Sequence, residues 1–196
     1  MDTVSTFIPR DRDDIRKRYG IKEKDILVLN VAPSSDPRKG ANDFLFYAKQ
    51  CENKKITFMN VGNQIEKECL PEGYIGVPFV TNQVELSRYY SAADILFCTS
   101  YADTMPNVCL DALSCGTPVM GYNITGVPYV ADEPLGYFFN PENKKEIMDF
   151  INTLHPKNEE TISLCREYAT KRYSLETYYS RQLAIYDEMF NSGEKI

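Results

Sequence analysis

Asp103 and Asp111 stand eight residues apart within Tyr101–Met120, a stretch joining the end of a buried strand to a short helix and then, through Cys115-Gly-Thr-Pro118, to another strand. The first carboxylate falls in the loop and the second about one turn into the helix, so both can face a ligand at the helix N-terminus. Unsatisfied backbone N–H groups and a partial positive charge at that end suit a phosphate. Carboxylates on either side of a phosphate suit hydroxyl-bearing groups, such as a ribose and a sugar. The same spacing also fits a helix N-terminus with ordinary acidic capping residues. Upstream, Pro37-Arg-Lys-Gly40 follows another apolar run and opens a helix. Gly40 permits a tight turn. Lys39 offers a flexible point charge and Arg38 a fork that can grip two phosphate oxygens, so the pair could clamp a diphosphate. Arg-Lys-Gly alone carries little information, because basic surface dipeptides are common. No GxxxxGK[ST] is present and no GxGxxG follows the first strand, which argues against a Walker loop and against a nicotinamide or flavin dinucleotide.

The elements that must place these residues alternate regularly. Ile26–Ala32, Ile56–Val61, Tyr74–Val80, Asp94–Thr99, Thr117–Gly121 and Gly136–Phe139 read as strands. Helical spacing of Phe44, Tyr47, Ala48 and Cys51 follows the first strand. Asn82 with Glu85 forms a capping box that opens a helix through Tyr90, and another helix runs from about Pro106 to Ser114. Near-continuous apolar strands separated by helices predict a parallel sheet covered on both faces, a Rossmann-like doubly wound α/β domain. Such sheets bind ligands outside the carboxyl ends of their strands. That rule gathers the loops Pro33–Gly40, Gly62–Gln64, Ser100–Asn107 and Thr125–Pro128 at one edge. Toward the C-terminus, Glu159–Tyr168 and Leu175–Phe190 read as helices, the second capped by Ser174. Leu175, Tyr178, Tyr179, Leu183, Tyr186 and Phe190 make a broad stripe, which ordinarily packs on its own domain and otherwise serves a neighbouring one. One domain is expected over 1–196, with a linker and lead-in helix to residue 24, the α/β core over 25–155 and C-terminal helices over 156–196.

Bulk properties narrow the function. The 196 residues suffice for one well-packed domain, and 43% hydrophobic with 26% charged residues is a globular composition. A net charge of −6 argues against sequence-independent nucleic-acid binding, so a polyphosphate must be held by a local cationic site. There is no long uncharged apolar run. The six cysteines include no CxxC; Cys98, Cys109 and Cys115 lie in apolar contexts, which suits a reduced, cytoplasmic protein. With His155 as the sole histidine, no His-based acid–base pair or transition-metal site is expected.

Beyond these readings, the chain resembles the C-terminal, nucleotide-sugar-binding half of a family 4 glycosyltransferase with the GT-B fold (glycosyl transferases group 1). The residues that carry the resemblance are Arg38-Lys-Gly40, Tyr89–Ser100, Met105–Val119 and Gly126-Val-Pro128, and the likeness runs across essentially the whole chain. The family's Glu-x7-Glu motif stands here as Asp103-x7-Asp111. The resemblance implies that Lys39 contacts the donor diphosphate and stabilises the leaving nucleoside diphosphate, that Asp103 touches the donor sugar, and that Asp111 holds the ribose hydroxyls. It implies that backbone N–H groups of Met105, Pro106, Asn107 and Val108 (Pro106 itself has none) border the sugar and phosphates. Gly62 and Val80 would approach the nucleobase. Three departures stand out: both acids are Asp, one methylene shorter than Glu; Ala32-Pro33 replaces the usual Gly-Arg, leaving Arg38 as a stand-in second cation; and Tyr129 occupies a position where the family often has an acid, where a buried Tyr would be structural.

The implied reaction is retaining transfer from a nucleoside-diphosphate sugar to an acceptor hydroxyl, of the hexosyltransferase type used in polysaccharide biosynthesis, with no cofactor and no bound metal. In the family the acceptor-binding half precedes this segment. The chain is therefore expected to be a truncated piece or gene fragment that binds nucleotide sugar with negligible transfer, and any peripheral membrane association would come through the missing N-terminal half. Two other readings remain: a GT-B relative such as a nucleotide-sugar epimerase, and a non-catalytic nucleotide-binding or interaction module.

Overall fold

The computed structural model of the chain describes residues 3–192. Its centre is a six-stranded, all-parallel sheet built from β1 (Ile26–Val31), β2 (Ile56–Val61), β3 (Tyr74–Val77), β4 (Ile95–Cys98), β5 (Val119–Tyr122) and β6 (Gly136–Phe139), in the order β3-β2-β1-β4-β5-β6. Alternate residues of each strand feed two separate cores. Leu27, Leu29, Met59, Leu96 and Val119 pack on one face, and Ile26, Val28, Phe58, Ile95 and Met120 on the other. Both faces are thus dry, which is why the strands read as apolar runs rather than alternating ones. The doubly wound expectation holds.

Helices α3 (Ala41–Gln50) and α6 (Lys144–Asn152) cover the second face through Phe44, Tyr47, Ile147 and Ile151. The first face lies under α2 (Asp13–Arg18), α4 (Gln83–Ala92), α5 (Asn107–Ser114) and α7 (Glu159–Tyr173), while the short α1 (Thr3–Thr6) leads in. The Asn82 cap forms as expected, with Glu85 N–H donating to Asn82 Oδ1 at 3.0 Å, while the Glu85 carboxylate accepts from Arg18 at 2.6 Å. Strand limits differ in detail. β3 stops at Val77 because Pro78 has no N–H to give the ladder, and β5 begins after Pro118 for the same reason.

One buried carboxylate ties the N-terminal lead-in to the sheet. Asp94, 3% exposed, accepts from Arg12 Nη2 (2.9 Å), Arg16 Nη1 (3.1 Å), Leu27 N (2.8 Å) and Lys157 N (3.0 Å). Its neighbour Lys157 is itself buried and donates Nζ to Thr117 Oγ1 at 2.6 Å. Desolvation brings that ammonium's pKa down to about 7, against the opposing pull of Asp94. Arg166 Nη1 bonds the carbonyls of Val4 (2.7 Å), Phe7 (3.0 Å) and Ser114 (3.2 Å), closing the same junction from the α7 side.

The last helix behaves otherwise. α8 (Leu175–Ser192) starts at the expected Ser174 cap, where Thr177 N–H donates to Ser174 Oγ at 3.2 Å. It packs against α7, yet none of its described side chains is buried. Leu183 is 62% exposed and Phe190 88%, so the stripe does not pack on its own domain as in the ordinary case. Its apolar face lacks a matching surface within the described residues. No helix among them is long and apolar enough to cross a membrane.

Candidate functional site

The strand order reverses between β1 and β4: the chain winds outward from β1 through β2 to β3, then returns to β4 and winds the other way. Loops leaving the carboxyl ends of β1 and β4 therefore diverge and leave a crevice between them. A cavity of about 380 Å³ opens there. Its walls come from Ala32, Pro33 and Lys39 after β1, Phe79 and Val80 after β3, Thr99 and Asp103 after β4, and Asn107 and Asp111 of α5.

Lys39 ends a 3₁₀ turn, Pro37–Lys39, that Asp36 caps by accepting Arg38 N–H at 3.0 Å. Gly40 follows with φ 66°, a left-handed conformation, and lies so close to the Thr99 carbonyl that a Cβ would overlap it. The turn is fastened to the segment after β4 by Thr99 Oγ1 donating to Lys39 O (2.9 Å) and Tyr101 N to Arg38 O (2.8 Å). The Lys39 ammonium then bonds Asp103 Oδ2 at 2.7 Å, with side-chain exposures of 34% and 18%. Cation and carboxylate share one partly shielded wall.

Asp103 is held in turn by the loop after β5. Its N–H donates to Thr125 Oγ1 (3.2 Å), and Gly126 N–H donates to its carbonyl (2.8 Å). Gly126 lies against the Thr104 backbone so tightly that no side chain fits. Thr125 has φ 51°, unusual for a β-branched residue and a mark of how sharply this loop turns back. A second brace uses Asp43 of α3, whose Oδ2 accepts from Tyr101 and from buried Tyr122, the latter at 2.7 Å. Burial, helped by the Asp43 carboxylate, pushes the Tyr101 phenol up to about 12. Helix α5 begins at Asn107 behind Pro106, and no side chain caps it, so its first backbone N–H groups face the crevice. Asp111, one turn along, is 8% exposed at the cavity wall. Such an arrangement can hold an anion at the helix end and hydroxyl groups at the two acids.

Of the residues expected from sequence, Lys39, Val80, Asp103, Met105, Pro106, Asn107, Val108 and Asp111 all line this cavity. Arg38 does not. Its guanidinium forks onto Asp36 (Nε 3.1 Å, Nη2 2.9 Å) and points to solvent, because a partner two residues away outcompetes a more distant site. It is no second cation for the pocket in this structure. Gly62 stays out of the cavity wall as well; its φ of 103° shapes the turn after β2, which packs closely on the Ala32 carbonyl after β1. Tyr129 is 69% exposed rather than a buried structural residue. Sequence reasoning missed Phe79, which stands 73% exposed at the cavity lip, and the buried pair Asn30 and Thr99 beneath it. The signal for Asn30 was present as an amide inside the otherwise apolar Ile26–Val31 run.

Fold and site together define a parallel, Rossmann-like α/β domain of the kind that forms one half of GT-B glycosyltransferases, with a crevice at its switch point lined by Lys39, Asp103 and Asp111. The chain belongs to the Glycosyl transferases group 1 family, whose pattern matches residues 11–172. It is 28% identical over 185 residues to the sulfoquinovosyl transferase of Arabidopsis thaliana, covering 86% of this chain and 35% of that protein. It is 27% identical over 186 residues to the lipopolysaccharide glucosyltransferase WaaG of Escherichia coli, covering 87% and 50%. Among solved structures, Anabaena HepE in complex with UDP superposes with a TM-score of 0.77 at 18% identity, over 96% of this chain and 56% of that one. The chain thus spans about half, or less, of the length of these relatives.

Proposed function

We propose that this chain binds the nucleoside-diphosphate sugar donor in the switch-point cavity and that the whole protein transfers the sugar to an acceptor hydroxyl with retention. The observation that carries this reading is the Lys39–Asp103 contact of 2.7 Å inside the cavity, beside Asp111 and the uncapped start of α5. On binding, the diphosphate competes with Asp103 for the ammonium. Lys39 then faces the phosphates and Asp103 is released toward the sugar hydroxyls, while Asp111 takes the ribose. As the glycosidic bond breaks, the sugar becomes oxocarbenium-like and negative charge grows on the diphosphate. The preorganised ammonium and the α5 N–H groups stabilise that charge. Because the acceptor must be presented across a cleft, the 1–196 chain acts as one donor-binding domain that holds the donor without turning it over. Its matched relatives are about twice its length or more, which supports that division.

The test is a thermal-shift and calorimetric panel of UDP, GDP and ADP, since a ligand selective for the folded state raises apparent stability. At least one should bind, and Lys39→Met should weaken it about tenfold or more through loss of a charge-assisted contact. Binding untouched by that substitution would favour a non-catalytic module. A chain that binds none of the three would sink the donor reading, and sugar transfer by the isolated chain would refute the division of labour.

A further inference from the structure

A directional chain of buried hydrogen bonds runs from Asn60 into the cavity wall, where Asn30 and Thr99 lie. Asn60 Nδ2 donates to Asn30 Oδ1 at 2.8 Å and to Ala32 O at 3.1 Å. Asn30 Nδ2 donates to Phe97 O at 2.9 Å and to Thr99 Oγ1 at 3.3 Å. Thr99 Oγ1 then spends its only proton on the carbonyl of Lys39 at 2.9 Å. All three side chains are essentially out of water, at 0%, 2% and 0% exposure. Asn30 and Asn60 are register partners in adjacent parallel strands, so their side chains project from the same face at the carboxyl ends of β1 and β2. A pair of valines would fill those positions in an otherwise apolar sheet without burying amides, whose desolvation is offset only if every donor finds a partner. Here every side-chain donor does, while the carbonyl oxygen of Asn60 is left without a partner among the described residues. The last link falls on the backbone of the residue whose ammonium meets Asp103.

We infer that Asn60, Asn30 and Thr99 are positioning residues that set the height of the Lys39 backbone over the crevice, so that its ammonium meets the donor diphosphate. This rests on the nucleotide reading proposed above and deepens it. Thr99 is the joint: Gly40 packs on its carbonyl while its hydroxyl holds Lys39, so the turn is gripped from two sides. Asn30 fixes the Thr99 hydroxyl as an acceptor and thereby leaves its proton for Lys39. Asn60 fixes the Asn30 amide in the one orientation that permits this. Asn30 and Thr99 also line the cavity, so the Lys39→Met background is what separates positioning from direct contact.

The test measures the dissociation constant for whichever of UDP, GDP and ADP binds tightest, by calorimetry on the intact chain. Variants are Asn30→Val, Thr99→Val and Thr99→Ser, each with Lys39 and with Lys39→Met. Thr99→Val removes the hydroxyl at constant shape and should weaken binding about five- to tenfold, as should Asn30→Val, while Thr99→Ser recovers most of the loss. With Lys39→Met these effects should largely disappear, because the residues act through Lys39. Equal losses in both backgrounds would mean a general packing role and overturn the inference, as would no loss in Thr99→Val. If Asn30→Val does not fold, or Lys39→Met binds too weakly to measure, the Thr99 pair decides: failure of serine to restore what valine removes counts against it. A wild-type chain that binds none of the three nucleotides overturns the donor reading and this inference together; coupling failure with intact binding overturns this inference alone.

Discussion

The Asp43 brace beside the cavity and helix α8 both use tyrosines, yet they sit at opposite extremes of packing. Tyr122 is fully buried with its hydroxyl on Asp43, and Tyr101 completes the same brace from its half-exposed position. Tyr178, Tyr179 and Tyr186 on α8 are more than half exposed. The segments after β1, β4 and β5 are fastened to one another: Thr99 to Lys39, Thr125 and Gly126 to Asp103, Asp43 to Tyr101. α8 has a well-formed cap and helical periodicity, yet none of its side chains among the described residues is buried. A binding constellation needs its parts held within a fraction of an ångström, which buried hydrogen bonds provide and a solvent-facing stripe does not.

That contrast can be broken from the rigid side first. Asp94→Ala should be the most damaging change, because it strands Arg16 and Lys157 in the interior; a loss on the order of 3–5 kcal/mol, or outright failure to fold, is expected in urea denaturation. Gly126→Ala should cost about 2 kcal/mol, since the added methyl must push the Thr104 backbone away. It should also weaken nucleoside diphosphate binding, because the displaced segment carries Asp103. A variant as stable as wild type, with unchanged affinity, would show that the loop after β5 does not hold the acid.

Lys157 sharpens the same side through pH. Its pKa is about 7 in the fold and 10.5 when unfolded, so between these values the unfolded chain binds more protons. Stability should therefore rise as pH increases through that window and fall as pH drops back toward 7, by on the order of 2 kcal/mol across two pH units. Lys157→Met should flatten the dependence of the urea midpoint between pH 7 and 9. A slope unchanged by that substitution would assign the effect elsewhere.

The smallest effect belongs to α8. Leu183→Glu with Tyr186→Glu should alter the folding free energy by less than about 0.5 kcal/mol, because neither side chain is buried. A large drop in the melting temperature would mean that α8 packs on this domain in solution and would remove the contrast altogether.

Much of the architecture was legible because it follows from local pattern. The six strands, the Asn82 and Ser174 caps and the helix after Pro106 all appear, with ends moved by a few residues where Pro78 and Pro118 interrupt the ladder. Helix α6 was overlooked although Asn143 caps it by accepting from Glu146 N, the same signature read correctly at Asn82. Lys39 and Asp103 were anticipated from the loops after the first and fourth strands, and Val80 and Met105 to Val108 from the resemblance to the glycosyltransferase family. Arg38 was not placed correctly, because its adjacency to Lys39 says nothing about a competing carboxylate at Asp36. Phe79 was missed because its prominence at the lip depends on where β3 ends, and no apolar periodicity marks a single exposed ring.

Residue order alone determined the class of fold and the edge of the sheet at which the cavity opens, since burial on both faces and the winding of parallel strands are written in short-range apolar runs. Only tertiary structure decided which charges meet. Lys39 and Asp103 lie 64 positions apart and touch because β1 and β4 are neighbours in the sheet. The same packing put Asn60, Asn30 and Thr99 in line, and left α8 uncovered. Contact between distant side chains depends on strand order and on loop geometry measured in tenths of an ångström, and neither is carried by local sequence.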